Sequence, residues 1–289
     1  MTEAAVADLY QGEQLASATA ALKSQMGIAM LAGPALGGRL AEYSFSACFV
    51  VSSLFGLVNI ALFGIAMPET RDKAASSTRS AGVPHPFSFL KLFRTRVLAK
   101  LTLAMGISEM CDGTTEIDRY YAQDVAGLTL TQNGLYQSCR GGAMIIGGRL
   151  VKPVLRRLGT MQYTNLCNAC GAAHMVAKGL ARAPTQMFGA LVPHVFGAGS
   201  YREAALKAQL MRLALRTGMT RGEITACEAN FRALLSISAP FLYSTLYTMT
   251  SSKPGLLQGA PYFLCAALLG CSHLVFCSIS SEELDLENE

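Results

Sequence analysis

An uncharged run of 23 residues, from 45 to 67, constrains this chain more than any other feature. As an α-helix it extends roughly 35 Å at about 1.5 Å per residue, which is enough to cross the hydrocarbon core of a bilayer with some tilt. A helix of that length without a charge is unusual in the core of a soluble protein. The run therefore predicts a membrane-spanning helix.

The composition also indicates a membrane protein. Charged residues make up 15% of the chain, whereas a typical soluble domain has about a quarter. The net charge of +5 comes from basic residues in short runs between apolar segments, which favours anchoring beside a membrane over nucleic-acid binding. Most of the 9 cysteines fall in or near apolar runs and indicate no disulfide framework. The polar stretch 1–24 lacks the pattern of a cleavable signal peptide.

Seven further segments predict membrane helices, although three of them contain ionisable residues. The segments are 25–42, 97–121, 131–151, 160–180, 187–201, 233–250 and 256–280, and the three with ionisable residues are 97–121, 131–151 and 160–180. Together with 45–67 they predict an all-α, polytopic bundle with about eight crossings. Basic residues concentrate in alternate loops, which places both termini in the cytoplasm. The other loops hold the few remaining cations, including Lys178, and one acidic group that includes Asp118.

Two motifs resemble those of a known family. Gly33, Pro34, Gly37 and Gly38 form a GP-x-x-GG pattern, and a Pro-Glu-Thr-Arg sequence follows the next helix at 68–71. This combination resembles the fifth and sixth helices of the major facilitator superfamily, in particular the drug/proton antiporters such as tetracycline-efflux proteins. The resemblance covers about 11–280.

A third motif is a weaker match to the same family. The turn from Gly148 to Gly159, with Arg156 and Arg157, resembles the loop after the family's eighth helix, but Lys152 stands where that loop has an aspartate. The superfamily has twelve helices in two halves, with the solute between the halves. The resemblance therefore implies that this chain supplies helices five to twelve.

The resemblance implies a division of the chain and a function. Residues 1–67 correspond to a remnant of the N-terminal half, 68–96 to a cytoplasmic linker, 97–280 to a six-helix C-terminal half and 281–289 to an acidic cytoplasmic tail. The implied function is secondary transport of a small organic solute by alternating access, coupled to protons. The alternative is a truncated, non-transporting scaffold or subunit, in which another polypeptide covers the Gly33–Gly38 face. We expect no enzymatic activity, cofactor or metal site.

Two acidic residues and one arginine are candidates for the solute and proton pathway. Glu109 and Asp112 lie three residues apart, so they share one face of the segment 97–121. Charges at bilayer depth usually face the interior of a bundle or water, and Arg140 is the expected partner of Glu109. In the alternative interpretation Asp112, alone or together with Glu109, is solvated at the outer membrane surface.

Other polar residues within the predicted spans have less specific interpretations. His174 and His194 are candidates for proton relay or for hydrogen-bonded packing, and Asn59 and Gln137 for hydrogen bonds to the solute. The glycines at 33, 37 and 38 favour close helix packing, a bend that seals the pathway, or both. The basic, amphipathic segment 201–221 predicts a helix on anionic headgroups, with a calmodulin target as the alternative.

Overall fold

The computed structural model describes residues 12–66, 85–197, 199–253 and 255–279, together with positions 6, 9 and 10. The Pro-Glu-Thr-Arg motif at 68–71 and the acidic tail 281–289 lie outside the described residues. Throughout the described part of the chain, all regular secondary structure is helical, which confirms the all-α class. The α-helices are α1 (Gly12–Tyr43), α2 (Phe45–Ala66), α3 (Arg96–Met110), α4 (Thr115–Asp124), α5 (Leu130–Leu180), α6 (Pro184–Gly189), α7 (Leu191–Gly197), α8 (Gly199–Arg216), α9 (Arg221–Thr250) and α10 (Ala260–Cys277). Short 3₁₀ helices lie at Pro86–Phe93, Cys111–Thr114 and Gly255–Gly259.

Threonine side chains fix where three of the helices begin. Thr95 accepts a hydrogen bond from a backbone N–H in the first turn of α3, and Thr220 does the same for α9. At the start of α5, the Thr129 hydroxyl accepts from the Gln132 N–H while the Gln132 side chain accepts from the Thr129 N–H. These bonds satisfy donors that have no partner within the helix itself.

The long helix α5 consists of two helices that meet at Gly159. Gly159 has φ 73° and ψ 169°, a conformation that glycine adopts because it has no Cβ. Arg140 and Lys178 lie on opposite sides of this glycine, yet both contact the carboxylate of Asp118. A straight helix would separate them by about 57 Å at about 1.5 Å per residue. The chain therefore folds back at Gly159, as expected from the turn predicted there.

Every predicted membrane segment falls on a helix or on consecutive helices. The segment 97–121 covers α3, a 3₁₀ turn and most of α4, and 187–201 covers parts of α6 to α8. Among the described residues, Ser46–Ile65 and Gly255–Cys277 are long and apolar enough to cross a membrane. The other helices do not meet that criterion, so the number of about eight crossings stays a prediction.

Buried apolar side chains form two clusters along the bundle. The start of α3 contributes Leu98 to the first cluster, and the 3₁₀ turn after α3 contributes Cys111 to the second. Along α10 the order is reversed, because Tyr262 belongs to the second cluster and Phe276 to the first. The helices α3 and α10 therefore run in opposite directions, with one cluster near each end.

The amphipathic segment after α7 is packed inside the bundle, which differs from its predicted position on a membrane surface. Leu206, Leu210 and Ala214, on α8, belong to the first apolar cluster. Lys207 is also buried, and its Nζ lies 3.3 Å from a carboxylate oxygen of Glu228. An internal partner for this cation allows one face of α8 to pack against α1, α3 and α5.

Helix α2 and the end of the predicted linker differ in how much of their surface is covered by other residues. Every residue from 49 to 65 in α2 is exposed, and the described contacts of α2 are mainly with α1. The end of the predicted linker is packed instead, because Phe89 and Leu92 of the 3₁₀ helix Pro86–Phe93 are buried. The Phe89 ring lies 5.5 Å from that of Phe231, which fixes this helix against α9.

Candidate functional site

Asp118, on α4, is the centre of a buried network of ion pairs and hydrogen bonds. The Lys178 Nζ donates to Asp118 Oδ1 at 2.5 Å, and the Tyr262 hydroxyl donates to the same oxygen at 2.7 Å. The Arg140 Nη1 lies 3.4 Å from Asp118 Oδ2. The side chains of Asp118 and Lys178 are 3% and 2% exposed. One carboxylate therefore links α4 to both halves of α5 and to α10.

Aromatic rings enclose this carboxylate. The Lys178 Nζ lies 4.5 Å from the centre of the Tyr262 ring, on whose face it makes a cation–π contact. The Tyr121 ring meets the Tyr262 ring edge to face, with 4.7 Å between the ring centres. These rings exclude water from the ion pairs, which strengthens the attraction between the charges and raises the cost of leaving any one of them without a partner.

Arg182 extends the network toward the loop after α5. Its Nη1 donates to the Tyr121 hydroxyl at 2.6 Å and to the carbonyl oxygens of Gly179 and Ala181. Its Nη2 donates to the carbonyl oxygen of Gly255 at 2.9 Å. Arg182 is therefore held by neutral oxygens, and it adds a positive charge close to the Asp118 network.

The two histidines predicted from the sequence lie together. The ring centres of His174 and His194 are 4.5 Å apart, and both side chains are buried. His174 Nδ1 lies 2.6 Å from the carbonyl oxygen of Ala190. Both ring nitrogens of His194 lack a hydrogen-bond partner among the described residues. His174 lies four residues before Lys178 in α5, so these two side chains share a helix face. The histidine pair therefore lies next to the Asp118 network.

Glu109 does not pair with Arg140, which corrects the expected partnership. Glu109 Oε1 lies 3.3 Å from the Nε of Arg232, on α9, whereas Arg140 contacts Asp118. Arg232 also lies 3.7 Å from Glu228, whose other oxygen is 3.3 Å from Lys207. The chain thus has a second ion network, which joins α3, α8 and α9. The sequence pattern missed this pairing because the partners are more than a hundred residues apart.

The remaining polar candidates lie apart from these networks. Asp112 is exposed in the 3₁₀ turn that separates α3 from α4, so it does not continue the helix face of Glu109. Asn59 is exposed on α2. Gln137 is half-buried, one turn before Arg140 in α5.

Close helix packing occurs at a glycine pair other than the predicted one. A Cβ added at Gly33 or at Gly37 would meet no atom of the described residues within 4 Å, whereas one added at Gly141 would lie 2.7 Å from the carbonyl oxygen of Gly27. The backbones of α1 and α5 therefore touch at Gly27 and Gly141. Pro34 and Gly38 lie within α1, which continues as a helix to Tyr43.

The predicted basic turn, from Gly148 to Gly159, lies near the middle of α5. Gly159 has the positive φ that a glycine turn requires, and Gly148 is half-buried in the preceding helix. Arg156 and Arg157 are exposed. Arg156 and Lys152 line a cleft against the first turns of α1.

The central ion pair was not predicted from the sequence, because Asp118 and Lys178 were assigned to loops on one side of the membrane. A hydropathy scale scores each charged residue alone, so it does not show a partner that lies on a distant segment. The helical spacing did contain one indication of the network. His174 and Lys178 are four residues apart, and so are Tyr136 and Arg140, so each pair shares one helix face.

Comparison with known proteins identifies the family. A search of curated proteins gives no significant match. The sequence model of the Major Facilitator Superfamily matches residues 1–222, which is more than half of the chain. That match agrees with the all-helical fold, the two apolar helices Ser46–Ile65 and Gly255–Cys277, and the buried charges between helices. The chain belongs to the Major Facilitator Superfamily of integral membrane transporters.

Proposed function

We propose that this chain is a secondary active transporter that moves a small organic solute by alternating access and couples the movement to protons. The observation that carries the proposal is the buried carboxylate of Asp118, which lies within ion-pair distance of both Lys178 and Arg140. Ionisable groups inside a membrane bundle are costly, and they commonly belong to solute or proton pathways.

The geometry of Asp118 suits a residue that changes partners during transport. Its two oxygens contact groups from both halves of α5 and from α10, so protonation of this single carboxylate weakens the contacts of α4 with these three helical segments. Loss of those contacts lets the segments separate and admits solute to Arg140. Solute release lets Asp118 lose its proton and pair again with Lys178.

The second ion network supplies a further carboxylate for proton coupling. Glu109 lies nine residues before Asp118, on α3 and not on α4. Its partner Arg232 lies on α9, so protonation of Glu109 frees a contact between α3 and α9. Glu109 therefore remains a candidate for the coupling carboxylate, with Arg232 in place of Arg140.

The topology is part of the same proposal. Residues 1–67 belong to the N-terminal half and 97–280 to the C-terminal half, with the linker 68–96 and both termini in the cytoplasm. The exposure of Arg156 and Arg157 supports a basic cytoplasmic turn at Gly159. A cysteine placed at Arg157 should react with a membrane-impermeant maleimide only from the cytoplasmic side, and labelling from the opposite side would contradict this orientation.

Proton flux in proteoliposomes tests the proposal. The full chain is reconstituted with a pH-sensitive dye inside, and phthalate, glucose and tetraethylammonium are added in turn as anionic, neutral and cationic probes. We expect one of them to drive a proton flux that is lost in Asp118→Asn. The control is Glu116→Gln, which changes an exposed acid on the same helix and should keep the flux. An unchanged flux in Asp118→Asn would exclude Asp118 from coupling.

A non-transporting scaffold is the second candidate function, and it has its own supporting observation. The exposed residues of α2 and the open space around Gly33 and Gly37 leave apolar helix surface that another polypeptide can cover. The scaffold function predicts that the chain migrates in a larger assembly on native gels and that Gly37→Leu releases it. A wild-type chain that migrates alone and drives solute-dependent proton flux excludes the scaffold.

A further inference from the structure

We infer that the solute handled at the Asp118 network is a small organic anion, whose carboxylate or sulfonate binds to Arg140, Tyr136 and His194. This inference deepens the proposed transport function and rests on it for the role of the site. It concerns the charge of the solute, on which the family membership is silent.

The Asp118 network carries an excess of positive charge. Asp118 is one carboxylate that lies between two cations, Lys178 and Arg140. Arg182 is bonded to the Tyr121 hydroxyl and to carbonyl oxygens, so it adds positive charge without a carboxylate of its own in the described structure. A buried excess of positive charge is costly, and an anion between the helices relieves it. A cationic solute would increase the excess.

The charges of the second ion network can be compared with those of the Asp118 network. Glu109 and Glu228 lie against Arg232 and Lys207, so that network contains two acids and two bases. Among these four described residues the formal charges balance. Among the described contacts, the excess of positive charge therefore occurs at Asp118 and not among these four residues.

A set of buried polar atoms lacks hydrogen-bond partners in the described structure. The Tyr136 hydroxyl, the Arg140 Nε and both ring nitrogens of His194 have no partner in the part of the chain that the structure describes. The Tyr136 and His194 residues are 1% and 5% exposed. Buried polar groups are nearly always hydrogen-bonded in native proteins, so a group of them without partners indicates a ligand that completes their bonding.

These atoms suit an oxyanion and lie on converging faces. Tyr136 and Arg140 are four residues apart on the first half of α5, so they share a helix face. The His194 ring lies against that of His174, which is on the second half of α5, one turn from Lys178. A guanidinium N–H, a phenol O–H and an imidazole N–H all donate to carboxylate or sulfonate oxygens. The Phe188 ring, 5.8 Å from the Tyr136 ring and edge-on to it, provides an apolar contact for the body of the solute.

A fluorescence titration tests the charge preference directly. The chain contains no tryptophan, so Phe188→Trp introduces a single reporter beside Tyr136 that can be excited selectively. The full-length variant is placed in phosphatidylcholine nanodiscs and titrated with benzoate, benzamide and benzamidine. These probes share one ring and differ in charge. We expect benzoate to bind with a Kd at least about tenfold lower than either of the other two.

Matched arginine variants locate the binding. In the reporter background, Arg140→Gln should raise the Kd for benzoate about tenfold or more, while Arg149→Gln should leave it unchanged. Arg149 lies on the same helix and is exposed, so it controls for loss of charge. Thermal stabilisation of the wild-type chain by benzoate is measured in parallel, so that the test does not depend on folding of the reporter variant.

The outcomes separate this inference from the transport proposal. Equal or tighter binding of benzamide or benzamidine, no saturation and no stabilisation by benzoate up to about 10 mM, or an unchanged Kd in Arg140→Gln each overturns the inference. Proton flux driven by glucose or tetraethylammonium but not by phthalate also overturns it, while transport stands. Benzoate binding that Arg140→Gln removes, without any proton flux, supports the anion site and rejects the transport proposal.

Discussion

Lys178 and Asp118 form a salt bridge of 2.5 Å in which both side chains are almost fully buried. The two residues are 60 positions apart in the chain and join α4 to the second half of α5. The same carboxylate is 3.4 Å from Arg140 of the first half. One acidic side chain therefore holds together the two helices that the turn at Gly159 separates, and it does so in the region where we propose that solute binds.

Removal of the lysine should destabilise the protein. Lys178→Met leaves the buried Asp118 with the hydrogen bond from Tyr262 and with Arg140, 3.4 Å away, as its charged contact among the described residues. We expect the free energy of unfolding to fall by about 3–5 kcal/mol. Thermal and denaturant unfolding in detergent measure the change. Lys152→Met, at an exposed position of the same helix, is the control and should change stability little. Equal stability of the two variants would contradict a structural role for the pair.

The glycine contact between α1 and α5 predicts a strong difference between two neighbouring substitutions. A Cβ at Gly141 would lie 2.6 Å from the Leu31 backbone nitrogen, whereas one at Gly142 meets no atom within 4 Å in the described part of the chain. Gly141→Ala should therefore cost about 1–3 kcal/mol of unfolding free energy through overpacking. Gly142→Ala should be neutral or stabilising by up to about 1 kcal/mol, because alanine favours helix. Comparable melting temperatures for the two variants would argue against this contact.

The turn at Gly159 should not tolerate a side chain. Its φ of 73° with ψ of 169° is a region that is essentially restricted to glycine, so Gly159→Ala should cost about 1–3 kcal/mol. Gly134→Ala, within the first half of α5, has open space around the added Cβ and serves as the control. Unfolding of both variants by denaturant in detergent checks the difference. A fully stable Gly159→Ala would show that the reversal occurs elsewhere.

The two histidines should respond differently to the same replacement. His174→Phe loses the hydrogen bond to the Ala190 carbonyl oxygen, and we expect a loss of about 0.5–1.5 kcal/mol in stability. His194→Phe loses no hydrogen bond to the described residues, so stability should be preserved or increased. Binding of benzoate should weaken only in His194→Phe. The order of the two effects on melting temperature is the measurement, and the reverse order would be evidence against the assigned roles.

Glu109 should influence the pH dependence of transport if it carries the coupled proton. Glu109→Gln removes the titrating carboxylate beside Arg232, so proton flux in proteoliposomes should change less between acidic and neutral pH than in the wild-type protein. Glu116→Gln removes an exposed acid and is the control. If Glu109→Gln keeps the wild-type flux and its pH profile, Glu109 is a structural residue and Asp118 is left as the coupling carboxylate.

Local sequence patterns predicted the helices well. The uncharged run 45–67 coincides with α2 (Phe45–Ala66), and the second apolar run, 256–280, contains α10 (Ala260–Cys277). A turn ending at Gly159 was also predicted, from the boundary between the segments 131–151 and 160–180 and from the resemblance of 148–159 to a loop of the family. These features depend on neighbouring residues and on the length of apolar runs, both of which a single sequence contains.

Contacts between distant segments were predicted poorly. The sequence pattern selected Arg140, His174 and His194 as candidate pathway residues. It gave Arg140 the wrong partner, however, and it placed Asp118 and Lys178 in solvent. It assigned helix packing to Gly33 and Gly37, whereas the contact occurs at Gly27 and Gly141. It also placed the segment 201–221 on a membrane surface, because a basic, amphipathic helix has the same pattern whether lipid or protein covers its apolar face.

The sequence by itself determined that this is an all-helical membrane protein of the Major Facilitator Superfamily, because apolar runs, turn glycines and motifs act over short distances along the chain. Only the tertiary structure decided which charges are buried together. The cost of a buried charge depends on the atoms within a few ångströms of it, and for Asp118 those atoms belong to residues 22, 60 and 144 positions away.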